Sequence, residues 1–97
     1  MKIYICGPMT GLPDHNFQSF HAAAKELRAQ GHTVTSPAEI DHRGATSWAD
    51  YLRRDIRAMM ECDTIAILPG ADNSKGATLE RLIASRLGFE VIYLGKE

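Results

Sequence analysis

Four short runs rich in β-branched and aromatic residues divide this sequence, and longer segments of helical periodicity separate them. The runs are Lys2 to Cys6, His32 to Thr35, Asp63 to Leu68 and Glu90 to Leu94. Short apolar runs bounded by glycine or proline are typical of buried strands, and parallel strands need crossover connections of this kind. The pattern predicts an α/β fold of order βαβαβαβ, a three-layer sandwich with a parallel four-stranded sheet of the flavodoxin-like or Rossmann-like type.

The length and charge of the chain limit what it can do. Ninety-seven residues allow one domain, spanning residues 1–97, without a separate substrate domain. The formal net charge of −1 shows no nucleic-acid footprint, and no apolar run approaches the roughly 20 residues of a membrane span. The N-terminal residues also lack a signal-peptide pattern, so we expect a cytoplasmic protein without nucleic-acid or membrane partners. The cysteines and histidines lack ligand spacing, so neither a metal nor a cofactor is expected.

Two of the three predicted helices carry an acid on the face that should meet the sheet. The first, from about Asn16 to Gln30, has an uncharged apolar stripe and looks structural. The second opens at Ser47 and places Asp55 in its apolar arc. The third opens at Ser74 and places Glu80 within an apolar face formed by Ala77, Leu79, Ile83, Ala84 and Leu87. A carboxylate facing a core is costly unless it is paired, neutralised or lining a cavity, so these positions point to function.

Structural readings of both acids stay open. Glu80 can be a buried structural acid bonded to a nearby hydroxyl, and Asp55 can be the partner of Arg54 or Arg57.

Two glycine-bearing loops should meet at the carboxyl edge of the sheet, where such folds bind ligands. The first holds Gly7, Pro8, Met9, Thr10 and Gly11, and the second runs through Asp72 and Asn73 to Ser74, Lys75 and Gly76. Their backbone N–H groups, the helix start and the lysine make a plausible phosphate site. An ordinary turn with a helix cap is the alternative, and neither a Walker A nor a GxGxxG motif is present.

Three segments carry a family resemblance: IYICGPMTG, RRDIRAMMECDTIAILPG and NSKGATLERLIASRLGFEVIYL. Together they resemble the nucleoside 2-deoxyribosyltransferase superfamily, especially its short phage-associated members and the related 2′-deoxynucleoside 5′-monophosphate N-hydrolases. The resemblance implies that Glu80 is the nucleophile and that Tyr4 orients it. It also implies that Asp55 and Asp72 lie near the base and sugar, and that either one serves as the general acid.

The activity implied is cleavage of the N-glycosidic bond of a 2′-deoxynucleoside or its 5′-monophosphate by double displacement at C1′. The full-length transferases complete a neighbouring subunit's site with a C-terminal extension. Here only Gly95, Lys96 and Glu97 follow Leu94, which favours hydrolysis over base exchange. The donors of the two loops favour a 5′-monophosphate, whereas Asp72 would favour a free 5′-hydroxyl.

Other classes of function are compatible with the same fold. A non-catalytic nucleotide-sensing module would bind without turnover, and a flavin protein would be coloured. Self-association is also expected, because the apolar residues of the second helix spread over a wide arc. These residues are Trp48, Tyr51, Met59 and Met60.

Overall fold

The computed structural model describes residues 1–95 as four strands and three α-helices that alternate along the chain. The elements are β1 (Lys2–Cys6), α1 (Phe17–Ala29), β2 (Thr33–Thr35), α2 (Trp48–Met59), β3 (Thr64–Ile67), α3 (Lys75–Arg86) and β4 (Glu90–Tyr93). All strand pairs are parallel, and the order across the sheet is β2-β1-β3-β4. The predicted fold class is therefore confirmed.

The strand order reverses between β1 and β3. The chain leaves β1 towards β2 on one side and leaves β3 towards β4 on the other, while β1 and β3 are neighbours. Tyr4 is in register with Ile65, and Cys6 with Ile67, so the two strands end side by side. The crevice beyond such a reversal is where open α/β sheets bind ligands.

The helices divide between the two faces of the sheet. Successive residues of a strand point to opposite faces, so β1 contributes Ile3 and Ile5 to one face and Tyr4 and Cys6 to the other. On the first face the core is completed by Phe20, Ala24 and Leu27 of α1. On the second face the core is completed by Met59 of α2 and by Ala77 and Ala84 of α3.

Both predicted N-caps are confirmed. The Ser47 hydroxyl accepts a hydrogen bond from the Asp50 backbone N–H, and the Ser74 hydroxyl accepts one from the Ala77 N–H, each at 3.1 Å. These contacts satisfy N–H groups that have no partner within the helix.

Exposure of the helix faces departs from the sequence expectation in two places. Met59 is fully buried in the core, so the expectation that it adds to the surplus apolar surface of α2 is wrong. Leu87, expected on the apolar face of α3, is exposed because the helix ends at Arg86. Trp48 and Tyr51 are 54% and 47% exposed, and self-association through them stays a prediction. No helix within residues 1–95 has the length and apolar character needed to cross a membrane.

We predict that Gly7→Ala destabilises the fold by about 1–3 kcal/mol, the usual range for overpacking. A Cβ at this position would lie 2.7 Å from Cδ1 and 2.8 Å from Cβ of Leu68 in the tight approach of the loops after β1 and β3. Gly76→Ala is the matched control, because its Cβ would make an ordinary 3.6 Å contact with Leu52. Urea unfolding measures both, and a Gly7→Ala variant as stable as wild type would contradict this packing.

Candidate active site

A hydrogen bond between a strand and a helix lies at the centre of the candidate site. The Tyr4 hydroxyl of β1 donates to Oε2 of Glu80 on α3 at 2.7 Å. Tyr4 is fully buried and Glu80 is 5% exposed. The inward-facing acid expected from the sequence is thus buried against the sheet, and its partner is the tyrosine that the resemblance indicated.

Small side chains bring α3 close enough to the sheet for this contact. Ala77 and Ala84, one turn either side of Glu80, are buried against the sheet. The Cys6 thiol, two residues after Tyr4 on the same face of β1, donates to the Ala77 carbonyl at 3.4 Å. The start of α3 is therefore attached to β1 at two successive inward-facing positions.

Burial dominates the ionisation of these groups. Loss of hydration raises the pKa of Glu80 to about 7, even though the Tyr4 hydrogen bond opposes the shift. The nearby negative charge of Asp55 adds to the rise, and a contact with Cys6 opposes it. The pKa of Tyr4 is also raised well above its usual value, first by burial and then by the charge of Glu80, so the phenol stays protonated and donates.

Asp55 forms a second acidic centre beside the first. Its Oδ1 lies 2.7 Å from Nε2 of His42, and both side chains are mostly buried. Burial raises the pKa of Asp55, while the hydrogen bond and charge of His42 act in the opposite direction. The open alternative in which Asp55 pairs with Arg54 or Arg57 is wrong: the partner is His42, and Arg54 instead donates to the backbone carbonyls of Asp41 and Arg43.

Asp72 lies elsewhere. Its side chain is 88% exposed and forms an ion pair with Arg81 on the outer side of α3. Both residues line a cleft of about 480 Å³ between α3 and β4, together with Tyr93. The fold therefore brings Tyr4, Glu80 and Asp55 near one another and places Asp72 in a cleft that none of these three residues lines.

The first loop meets the loop after β3 beyond the ends of the two strands, but of the second glycine-bearing stretch only Asn73 reaches the cleft that they share. A cleft of about 460 Å³ is lined there by residues of the first loop and of the loop after β3, with Asn16 and Ser19 from the start of α1. The loop residues are Pro8, Thr10, Leu12, Leu68, Pro69, Gly70 and Asn73. Asn16 fixes the first loop by donating to the Pro8 carbonyl at 3.0 Å. Met9 packs against the core instead, and Gly11 occupies a left-handed turn with φ of 83°.

The start of α3 faces α2. The Lys75 ammonium lies 5.8 Å from the centre of the Trp48 ring, and Gly76 lies against Leu52. The Ser74 hydroxyl is engaged as the helix cap. Among the described residues, no lysine or arginine lines the cleft at the first loop, so backbone N–H groups and the hydroxyl and amide side chains there are its donors.

Sequence reasoning missed His42, Cys6 and Asn16. His42 lies 13 residues before Asp55, and only the path of the connecting loop brings the two together. Cys6 carried a weak signal, since its position two residues after Tyr4 on a strand places both on one face. The hydrogen bond from Asn16 to the Pro8 carbonyl forms at a residue with a left-handed backbone conformation (φ 61°), which the sequence pattern does not predict.

Comparison with known proteins agrees with this architecture. The structure is similar to a 2-deoxyribosyltransferase from Bacillus psychrosaccharolyticus, with 23% identity, a TM-score of 0.74, and coverage of 96% of this chain and 71% of the other. It is also similar to a 2-deoxyribosyltransferase from Leishmania mexicana, with 21% identity, a TM-score of 0.73, and coverage of 99% of this chain and 65% of the other. The chain thus spans about two thirds of the length of these enzymes, and the similarity shows a shared fold.

No curated protein matches the sequence significantly. One family model matches residues 1–93, almost the full length of the chain. On that match, the chain belongs to the family described as a domain of unknown function, DUF4406.

Proposed function

We propose that this protein cleaves the N-glycosidic bond of a 2′-deoxynucleoside or its 5′-monophosphate through a covalent glycosyl intermediate on Glu80. The observation that carries the proposal is the buried Glu80 carboxylate, held by the Tyr4 hydroxyl at 2.7 Å beside Asp55. The shared fold with two proteins named 2-deoxyribosyltransferases supports it.

Glu80 is suited to the role of nucleophile. With its pKa at about 7, it is substantially ionised at neutral pH, and its low exposure removes the hydration that weakens a carboxylate nucleophile in water. The Tyr4 hydrogen bond holds Oε2 and fixes the direction of the carboxylate. Attack by Glu80 on C1′ breaks the bond to the base, and water or a second base then attacks C1′ and releases Glu80.

The departing base needs a proton, and Asp55 is the better donor of the two candidates. Its pKa is raised by burial, so it holds a proton to higher pH than an exposed aspartate. Asp72 is exposed and bound to Arg81. In this proposal Asp55 is the acid for base departure, and as a carboxylate it accepts a proton from the attacking water.

Substrate entry requires a local rearrangement. Glu80 lines neither cleft and is 5% exposed, so side chains around it must move before C1′ can reach the carboxylate. The cleft at the first loop lies beyond the ends of β1 and β3 and offers donors from Thr10, Asn16 and Asn73. We place the 5′-phosphate there and expect a monophosphate to be preferred over the free nucleoside.

A second candidate function follows from the same low exposure. A module that binds nucleotides without turnover needs no access to Glu80, and the acid would then act only as a structural partner of Tyr4. The two functions differ in whether free base is released.

We predict that the wild-type protein releases free base from at least one of the four common 2′-deoxynucleosides or their 5′-monophosphates, as measured by chromatography. Glu80→Gln keeps an oxygen for the Tyr4 hydrogen bond and removes the nucleophile, so base release should fall by about a thousandfold or more. Glu61→Gln, at an exposed position after α2, is the matched control and should retain activity. Near-wild-type release by Glu80→Gln would overturn the assignment, and binding without release would favour the sensing module.

We also predict that Glu80 makes the fold less stable as pH rises. The pKa of Glu80 is about 7 in the folded chain against an ordinary 4.5, so the unfolded chain loses this proton first. The free energy of unfolding of the wild-type protein, relative to that of Glu80→Gln, should be highest below pH 4.5 and fall by about 3 kcal/mol by pH 7. Urea unfolding from pH 4 to 8 measures the difference, with Glu61→Gln as control. Parallel curves for wild type and Glu80→Gln would contradict the buried, raised-pKa carboxyl.

A further inference from the structure

The pair formed by His42 and Asp55 has the geometry of a supported acid. Nε2 of His42 lies 2.7 Å from Oδ1 of Asp55, and the two side chains are only 18% and 14% exposed. A hydrogen bond this short between mostly buried groups fixes the position of a carboxyl more firmly than a surface ion pair does. The hydrogen bond engages Oδ1 and leaves Oδ2 as the oxygen for another partner.

The loop that carries His42 is itself fastened to α2. The His42 ring packs on the Tyr51 ring with centroids 4.8 Å apart. Arg54 donates to the carbonyls of Asp41 and Arg43 at 3.3 and 2.7 Å, one residue on each side of His42. The imidazole is therefore positioned from the helix that also carries Asp55.

Several charged and titratable groups surround the pair of His42 and Asp55. Tyr4 on β1 and Glu80 on α3 lie near enough to Asp55 that its negative charge contributes to raising the pKa of both. On the loop, Asp41 pairs with Arg43, and Arg54 binds backbone carbonyls. His42 is the residue that hydrogen-bonds Asp55, and an imidazole can donate to an ionised carboxylate or accept from a protonated one.

We propose that His42 is the positioning residue for Asp55: it holds Oδ1 so that Oδ2 transfers a proton to the departing base. This rests on the proposed function and adds a residue to it. As Glu80 forms its bond to C1′, the electron pair of the C1′–N bond goes to the base nitrogen, which takes the proton from Asp55. When water attacks C1′, the bond to Glu80 breaks and a proton from the water returns to Asp55. His42 ends the cycle in the state in which it began.

Two substrates with different leaving groups test the role of His42. A common deoxynucleoside needs acid assistance, whereas 7-methyl-2′-deoxyguanosine carries a positive charge on the purine and releases a neutral base without a proton. The test compares kcat/KM for wild type, His42→Ala, His42→Gln and Asp55→Asn. The substrates are 7-methyl-2′-deoxyguanosine and whichever of the four common deoxynucleosides wild type cleaves fastest, both in the same phosphorylation state. His21→Ala, on the exposed side of α1 across the sheet, is the matched histidine control.

We predict that His42→Ala loses about 10–100-fold with the common deoxynucleoside, a part of the roughly 10²–10⁴-fold that a positioned general acid contributes. With 7-methyl-2′-deoxyguanosine the loss should stay within about threefold, because acid catalysis is not used there. Asp55→Asn should show the same selectivity with a larger loss, and His42→Gln should recover part of the activity through its amide N–H. Thermal unfolding of each variant reports on the fold.

Each contrary outcome has a distinct meaning. Equal losses on both substrates, or no loss on the common one, would overturn the role of His42 while leaving Glu80 as the nucleophile. Failure of the wild-type protein to release base from either substrate would overturn the proposed function itself, and the role of His42 with it.

Discussion

The burial of one carboxyl group constrains the whole candidate site. A carboxylate taken out of water is costly unless donors face it, and the fold supplies one from Tyr4 at 2.7 Å. That contact depends on a capped start of α3, on alanines that let the helix approach, and on alternation along β1. The hydrogen bond offsets only part of the desolvation, which leaves the pKa of Glu80 at about 7 instead of restoring the ordinary value.

The strand order explains why these parts meet in so short a chain. The reversal between β1 and β3 places the loop after each strand at one edge, and α2 and α3 both cover the face that carries Tyr4. Two helices on one face bring Asp55 and Glu80 towards the same tyrosine. The other face, covered by α1, carries the second apolar cluster of the core, which includes Ile3, Ile5 and Phe20.

Patterns of period 2 and 3.6 were sufficient to predict the strands, the helix starts at Ser47 and Ser74, and the inward acids. Local spacing could not predict contacts that depend on loop paths. His42 reaches Asp55 only through the fold of the connecting loop, and the nearby arginines that suggested a partner turn to backbone carbonyls instead. The exposure of side chains at the ends of helices was also not predicted. Leu87 is exposed because it lies just past the last turn of α3, and Met59, the last residue of α2, is fully buried.

Mass spectrometry of the protein quenched during turnover tests most directly whether Glu80 forms a covalent bond to the sugar. We predict a mass increase of one 2-deoxyribosyl group, or its 5′-phosphate, on the peptide that contains Glu80, and no adduct in Glu80→Gln. A 2′-fluoro-arabinosyl substrate should lengthen the life of the adduct, because fluorine at C2′ disfavours the cationic transition state. An adduct on another residue, or base release without any adduct even from this substrate, would contradict the account.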